Sequence, residues 1–150
     1  MIKLVRTDSN NTDFVFLVEL LNDYLKIVDG ADHEFYNQYN NIDVLKHVIV
    51  AYIDNKPVGC GAFKKYTEKE TEIKRMFTRP ETRSQGVASK ILKALEAWSE
   101  ELGFEACLLE TGKRQVEAVQ FYKKNAYIAI PNYGQYKGVT NSVCFKKSIT

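Results

Sequence analysis

Residues 72–92, EIKRMFTRPETRSQGVASKIL, constrain the fold more than any other stretch of this 150-residue chain. Ile73, Met76 and Phe77 lie in a short extended run, and Pro80, which cannot continue a central strand, ends it. Thr82, Arg83, Ser84, Gln85 and Gly86 form a small, polar, turn-forming cluster. Val87, Ala88, Ile91, Leu92, Leu95, Trp98 and Leu102 then recur at helical spacing, and Gly103 is placed to stop the helix. The pattern predicts a strand, a tight turn and an amphipathic helix. Such a junction leaves the first backbone N–H groups of the helix unpaired and converging, with the positive end of the helix dipole behind them. The side chains agree: from 74 to 93 the basic residues are Lys74, Arg75, Arg79, Arg83, Lys90 and Lys93, against Glu81 alone. A phosphorylated ligand is expected here.

The rest of the chain alternates between the two periods. Residues 2–5 read as a first strand, and residues 8–12 as a turn offering an N-cap. Phe14, Leu17, Val18, Leu21, Leu25 and Val28 mark one face of a helix that residues 29–31 stop. Residues 31–46 are polar and aromatic, a second short helix or a surface loop. Strands over 47–53 and 58–63 flank Asp54-Asn55-Lys56-Pro57, a hairpin signal. An apolar strand is expected over 105–111, a helix over 115–124, a short strand over 127–130, a loop at 131–134 and a last strand over 142–146. There is no repeat, linker or low-complexity tract, so residues 1–150 are expected to form one domain, long enough to bury roughly two-thirds of its unfolded surface. The order is neither all-antiparallel nor a clean βαβ series, which predicts a mixed sheet with helices on both faces.

Composition narrows the function classes. A net charge of +2 argues against a protein that wraps nucleic acid or coats a membrane. No run approaches ~18 apolar residues and the first residues lack a signal-peptide core, so a cytoplasmic location is expected. Cys60, Cys107 and Cys144 are widely spaced in apolar contexts and read as core residues in a reducing compartment. His33 and His47 have no ligand spacing, and no metal site is expected.

Three phosphate-loop patterns compete. The P-loop GxxxxGK[ST] is absent, which argues against nucleotide hydrolysis. Gly59-Cys60-Gly61 begins a GxG pattern, but Ala62-Phe63 continues the strand, so these glycines mark a strand that something approaches closely. The third is Arg83-Ser84-Gln85-Gly86-Val87-Ala88, where Gly86 lets a ligand approach the backbone and Ala88 keeps the first turn slim. This segment resembles the signature [RQ]-x-x-G-x-[GA] of the GCN5-related N-acetyltransferase (GNAT) superfamily, with Arg83, Gly86 and Ala88 at the defining places. Residues 72–81 look like that family's fourth strand and its exit. Gln115-x-x-Ala118-x-x-Phe121-Tyr122-x-x-Asn125-x-Tyr127 is similar to its second conserved block, usually N-x-x-A-x-x-x-Y.

The resemblance spans nearly the whole chain and implies an α/β (α+β) fold with a mixed, mostly antiparallel sheet of about six to seven strands. It implies acetyl-CoA as donor, held at its diphosphate by the backbone of Ser84, Gln85, Gly86, Val87, Ala88 and Ser89 beyond Arg83. The end of the fourth strand, Met76, Phe77 and Thr78, would pair through its backbone with the pantetheine amides. Gln115, standing where the family often has Asn, keeps hydrogen-bonding capacity with a longer reach. Tyr122 matches the family's tyrosine that protonates the CoA sulfur.

Acyl transfer to an amine also needs a deprotonated nucleophile. Strand alternation puts Glu72 on one face with Lys74, Met76 and Thr78, and makes Glu72 the first candidate base. Glu110 is the second, and a water relay is the third. Acceptor specificity is expected from residues 29–41, with Asp29, Asp32, Glu34, Tyr36 and Tyr39, and from residues 131–142, with Tyr133, Tyr136, Asn141 and Ser142. Carboxylates among aromatics suit a small amine. The expected activity is therefore an acetyl-CoA-dependent N-acetyltransferase acting on a small molecule or a protein amine. The alternative is an acyl-CoA-binding module without turnover. No nucleic acid or membrane partner is expected, and a homodimer is compatible with such a fold.

Overall fold

The turn cluster at residues 8–12 starts a helix, as its composition predicts. Asn11 is extended, and its Oδ1 accepts the Phe14 N–H at 2.9 Å, capping α1 (Thr12–Asp29). Phe14, Leu17, Val18 and Leu21 are buried along one stripe of α1. The computed structural model describes residues 1–30 and 45–150. The segment for which a second short helix or loop is expected falls almost wholly outside the described residues.

Seven strands follow the expected order: β1 (Ile2–Thr7), β2 (His47–Ile53), β3 (Lys56–Lys65), β4 (Glu70–Thr78), β5 (Ala106–Gly112), β6 (Ile128–Ile130) and β7 (Ser142–Ser148). They form one sheet in the order β1-β2-β3-β4-β5-β7-β6, antiparallel everywhere except at β4/β5. The β2–β3 hairpin turns through Asp54 and Asn55, both at positive φ (51° and 65°), the twist that a two-residue hairpin turn requires. Boundaries shift slightly. β1 runs on to Thr7, and β6 begins one residue after Tyr127, which is buried instead of edging a strand.

Strand alternation sorts the core into two layers. Val48, Val50, Cys60, Ala62 and Phe77 pack under α1 on one face of the sheet. Ile49, Ala51, Phe63, Ile73, Cys107 and Leu109 pack on the other face under α2 (Val87–Glu101), through Val87, Ile91, Leu92 and Leu95. Full burial of each valine, leucine, isoleucine or phenylalanine among them contributes about 1.5–3 kcal/mol. Ala118, Val119 and Phe121 of α3 (Val116–Lys124) join the second layer. The close approach expected at Gly59 and Gly61 is α2 itself: a Cβ at Gly59 would stand 3.0 Å from Ile91 Cδ1 and Val87 Cγ1. The three cysteines are free and buried, and burial pushes the Cys60 thiol up to about 12.

One strand departs from simple alternation. Cys60 pairs with Phe77 and Ala62 with Lys74, so Gly61 alone faces both Arg75 and Met76. This is a β-bulge, with Arg75 at φ 60°, a left-handed conformation that costs a non-glycine residue about 1–2 kcal/mol. The bulge reverses the parity of β4. Met76 packs with Ile73 in the α2 layer, whereas Phe77 packs under α1. Met76 therefore does not share a face with Glu72, contrary to the alternation expected from sequence. Among the described residues no helix is long and apolar enough to cross a membrane.

Candidate active site

Strands β4 and β5 pair only through Glu70, Thr71 and Glu72 with Ala106, Cys107 and Leu108. Beyond those pairs the two parallel strands part, and the facing edges of residues 73–78 and 109–112 border an opening in the middle of the sheet. Two cavities meet there. The larger, about 560 Å³, is lined by Met76, Phe77 and Thr78 of β4, by Arg83, Ser84, Gly86, Val87, Ala88 and Ser89 of the turn and helix start, and by one side of α3. The smaller, about 120 Å³, is lined by Glu72, Lys74 and Arg75 of β4, by Glu110 and Thr111 of β5, and by Tyr136. Leu21, Met76, Gln115, Ala118 and Tyr122 line both.

The larger cavity ends on the predicted anion site. Gly86 caps α2 at φ 79° and offers no side chain to fill the space before the helix. Among the described residues, the N–H groups of Gly86, Val87, Ala88 and Ser89 meet no hydrogen-bond acceptor; the first bond of the helix is donated by Lys90 to Gly86 O, at 3.1 Å. Among the described residues nothing lies within 4 Å of the position where a Gly86 Cβ would stand. Four converging donors thus open into unfilled space at the positive end of a helix dipole.

The basic cluster read from the sequence divides between separate tasks. Arg83 lines the cavity, with Nη1 3.8 Å from Glu117 Oε2 and its guanidinium 6.0 Å from the Tyr24 ring centre. Arg79 is structural: its Nε donates to Pro57 O at 2.9 Å and its guanidinium lies over Phe16. Lys90 and Lys93 line neither cavity, and Lys74 and Arg75 face the smaller one. Lys124 and Tyr24 join the lining of the larger cavity without having been singled out by the sequence, and so do Thr82 of the turn cluster and Asn125 of the second block, to which no ligand role was given. Gln85 is absent from the lining, and Gln115 stands at the start of α3 where both cavities meet.

Tyr122 occupies the junction. Its ring is buried against Phe121, Tyr127 and Phe145, at centroid distances of 5.1, 5.8 and 6.2 Å. Its hydroxyl makes no hydrogen bond among the described residues. Burial, and next the charge of Glu110, raise its pKa well above the usual tyrosine value, so the phenol stays protonated. A neutral O–H donor without a partner among the described residues is thereby held between the two cavities.

The smaller cavity gathers charge. Glu72 is 3% exposed; its Oε2 accepts from the Tyr133 hydroxyl at 2.7 Å, and its Oε1 lies 3.9 Å from both Lys64 Nζ and Lys74 Nζ. Glu110 Oε2 accepts from Ser142 Oγ at 2.7 Å. The loop expected to shape specificity does reach this cavity. Asn132 Nδ2 donates to the carbonyls of Tyr136, Val139 and Ser142 at 3.1 to 3.2 Å, folding the loop so that Tyr133 meets Glu72 and Tyr136 lines the wall. Burial first, and then Glu72, hold the Tyr133 phenol above its usual value. The other segment expected to set specificity, 29–41, falls outside the described residues beyond the end of α1, and Asp32, Glu34, Tyr36 and Tyr39 with it.

The model of the acetyltransferase (GNAT) family matches residues 14–127, about three-quarters of the chain. The chain belongs to the GNAT family. A relative from Azospirillum brasilense, IAA acetyltransferase, is 34% identical over 89 residues, which cover 59% of this chain and 58% of that protein. The chain therefore spans less than two-thirds of that relative. A solved structure from Klebsiella pneumoniae, assigned as an acyl-CoA N-acyltransferase, superposes over 100% of this GNAT chain and 99% of its own at a TM-score of 0.83 and 23% identity. A GNAT family acetyltransferase from Elizabethkingia anophelis, solved with acetyl-CoA bound, covers 98% of this chain and 97% of its own at a TM-score of 0.71 and 16% identity. These two likenesses establish the GNAT fold: seven strands, parted at β4/β5, with helices on both faces. Among the described residues no group of three or more His, Cys, Asp or Glu could hold a metal ion.

Proposed function

We propose that this protein transfers the acetyl group of acetyl-CoA to a primary amine, with donor and acceptor bound together and the amine attacking directly. The observation that carries this reading is Tyr122: a protonated, unpartnered phenol on the wall shared by a long cavity and a small charged one. The long cavity suits the donor. Its far end presents the free N–H groups of residues 86–89 for a diphosphate, and Arg83 and Lys124 supply positive charge nearby. The unpaired edge of Met76, Phe77 and Thr78 supplies backbone partners for an extended chain of amides.

The residues then divide the chemistry. Tyr122 gives its proton to the departing thiolate, a role that needs a neutral donor at neutral pH. Glu72 takes the proton that the ammonium must lose before attack, directly or through water, and Glu110 is the second candidate for the same task. Parted strand edges offer N–H groups toward negative charge developing on the acyl oxygen. A module that bound acyl-CoA without turnover would use the Tyr122 ring for packing but would not need its hydroxyl aimed at the junction.

The test is Tyr122→Phe, followed by thiol release from acetyl-CoA against a broad amine panel. The expected result is a fall in kcat of about 10²–10⁴-fold, the usual contribution of a positioned acid, with CoA affinity by calorimetry nearly unchanged. Full activity in the variant across pH removes Tyr122 from the mechanism. Absence of thiol release by the unmutated protein with every amine, despite tight CoA binding, favours the binding module.

A further inference from the structure

We propose that the acceptor of this reaction carries a carboxylate, which docks on the guanidinium of Arg75 while its amine faces Tyr122 and the Glu72–Glu110 end of the small cavity. The proposal rests on the acetyltransferase reading above and specifies its acceptor.

Arg75 stands at the bulge of β4 and lines the smaller cavity, yet is only 7% exposed. Its Nη1 donates to Asn22 Oδ1 of α1 at 3.0 Å, which satisfies one of five donors. Its Nε is buried and, like Nη2, has no acceptor among the described residues. The unpaired side is thus the Nε–Nη2 edge, which matches the two oxygens of a carboxylate. Among the described residues no carboxylate forms an ion pair with this guanidinium, although Glu72 and Glu110 line the same cavity. A buried charge without a counter-ion is expensive. Here it is also placed by a left-handed backbone residue at φ 60°, so the fold bears two costs that a structural arginine would not require. A ligand anion would supply the missing charge and the missing acceptors together.

The other occupants of the cavity fit the second half of such a ligand. Glu72 and Glu110 suit an ammonium before it loses its proton, and Tyr122 marks where transfer takes place. At about 120 Å³ against about 560 Å³ for the donor cavity, the space is the smaller by far, so the buried part of the acceptor is small. A compact amino acid, with amine and carboxylate a few bonds apart, meets all three conditions. A simple alkyl amine leaves the guanidinium unpaired.

The product side gives a test independent of turnover. With CoA present, N-acetylglycine, N-acetyl-β-alanine, N-acetyl-L-alanine and N-acetyl-L-glutamate are titrated by calorimetry beside their carboxamides. At least one acid is expected to bind tenfold or more tightly than its amide, and Arg75→Gln is expected to erase that preference while leaving CoA affinity within a few-fold. Arg75→Lys keeps the charge without the fork and should retain part of the preference; should Arg75→Gln not fold, an unreduced preference in Arg75→Lys overturns the proposal. Equal binding of acids and amides, no binding of any acid, or a preference that survives in folded Arg75→Gln overturns it too. Thiol release with the free amino acids and amino amides separates the two readings. Turnover of amides as fast as acids leaves an acetyltransferase without the anion site. Arg75-dependent binding of acids without any thiol release leaves the anion site and removes the transferase.

Discussion

Gly61 of β3 lies directly beneath Met76 of β4: a Cβ at residue 61 would stand 2.6 Å from the Met76 sulfur and 2.9 Å from both Ile91 Cγ2 and Leu95 Cδ1. Ile91 and Leu95 are fully buried, so they have little room to yield. Gly61→Ala is therefore expected to cost about 1–3 kcal/mol, the usual range for overpacking. Urea denaturation measures the loss. Because Met76 lines both cavities, the KM for acetyl-CoA should rise in the same variant; wild-type stability would show that the bulge relaxes without cost.

This pair also marks where the sequence was legible and where it was not. Val87, Ile91, Leu92 and Leu95 are read as one helix face because their spacing is local, and Gly59 and Gly61 announce a close neighbour without naming it. The bulge is invisible because Arg75 holds its left-handed conformation with no glycine or asparagine to signal it. A one-residue slip then carries Met76 to the opposite face of the sheet from Glu72. The meeting of Tyr133 with Glu72 spans 61 positions and depends on Asn132 folding its loop, which no periodicity encodes. The donor side is the more legible because it is built from consecutive backbone; the acceptor side is assembled from α1, β4, β5, α3 and the loop that carries Tyr136.

Glu96 ties the second layer together. Its Oε2 accepts from Tyr127 at 2.8 Å and its Oε1 from Lys147 Nζ at 2.9 Å. Glu96→Ala strands a buried phenol donor and an ammonium, for an expected loss of about 1–3 kcal/mol. Glu96→Gln retains an acceptor for Tyr127 and should lose less. Equal losses for the two variants would mean that the ion pair, not the phenol, dominates.

His47 is a stability sensor on the acid side. It stacks on Phe63 at 4.8 Å and meets the edge of Trp98 at 5.0 Å. Burial, and next the charge of Lys46, hold its pKa below the ordinary histidine value. The folded state then binds this proton more weakly than the unfolded chain does. Its contribution is complete above the unfolded value of about 6.5 and is lost as pH falls toward the lower folded value. His47→Phe keeps the stack and should flatten that part of the stability profile, measured by urea titration from pH 7.5 to 4.5. An acid limb of unchanged slope assigns the effect to other groups.

Glu72 and Glu110 separate by kinetics. Glu72→Gln keeps an acceptor for Tyr133, and Glu110→Gln keeps one for Ser142, so each removes charge with little change of shape. Loss of the carboxylate that takes the amine's proton should lower kcat/KM by about 10²–10⁴-fold. Loss of the other should change it only a few-fold. Small effects in both variants would assign the proton to water.

Gly86 tests the donor end through two substitutions that share one backbone cost. At φ 79° any side chain is strained by about 1–2 kcal/mol, but among the described residues nothing lies within 4 Å of the added Cβ, so the first side-chain atom of either substitution meets no atom of the fold. Gly86→Ala thus isolates the strain and the small bulk at the helix start. Gly86→Glu adds a carboxylate beside the unpaired N–H groups of residues 86–89, where it competes with a diphosphate for the same donors and repels it. CoA affinity by calorimetry should fall at least tenfold further in the glutamate variant than in the alanine variant, and the difference should shrink as salt screens the repulsion. Equal affinities would place the diphosphate away from this helix, because a charge inside its binding site cannot be silent.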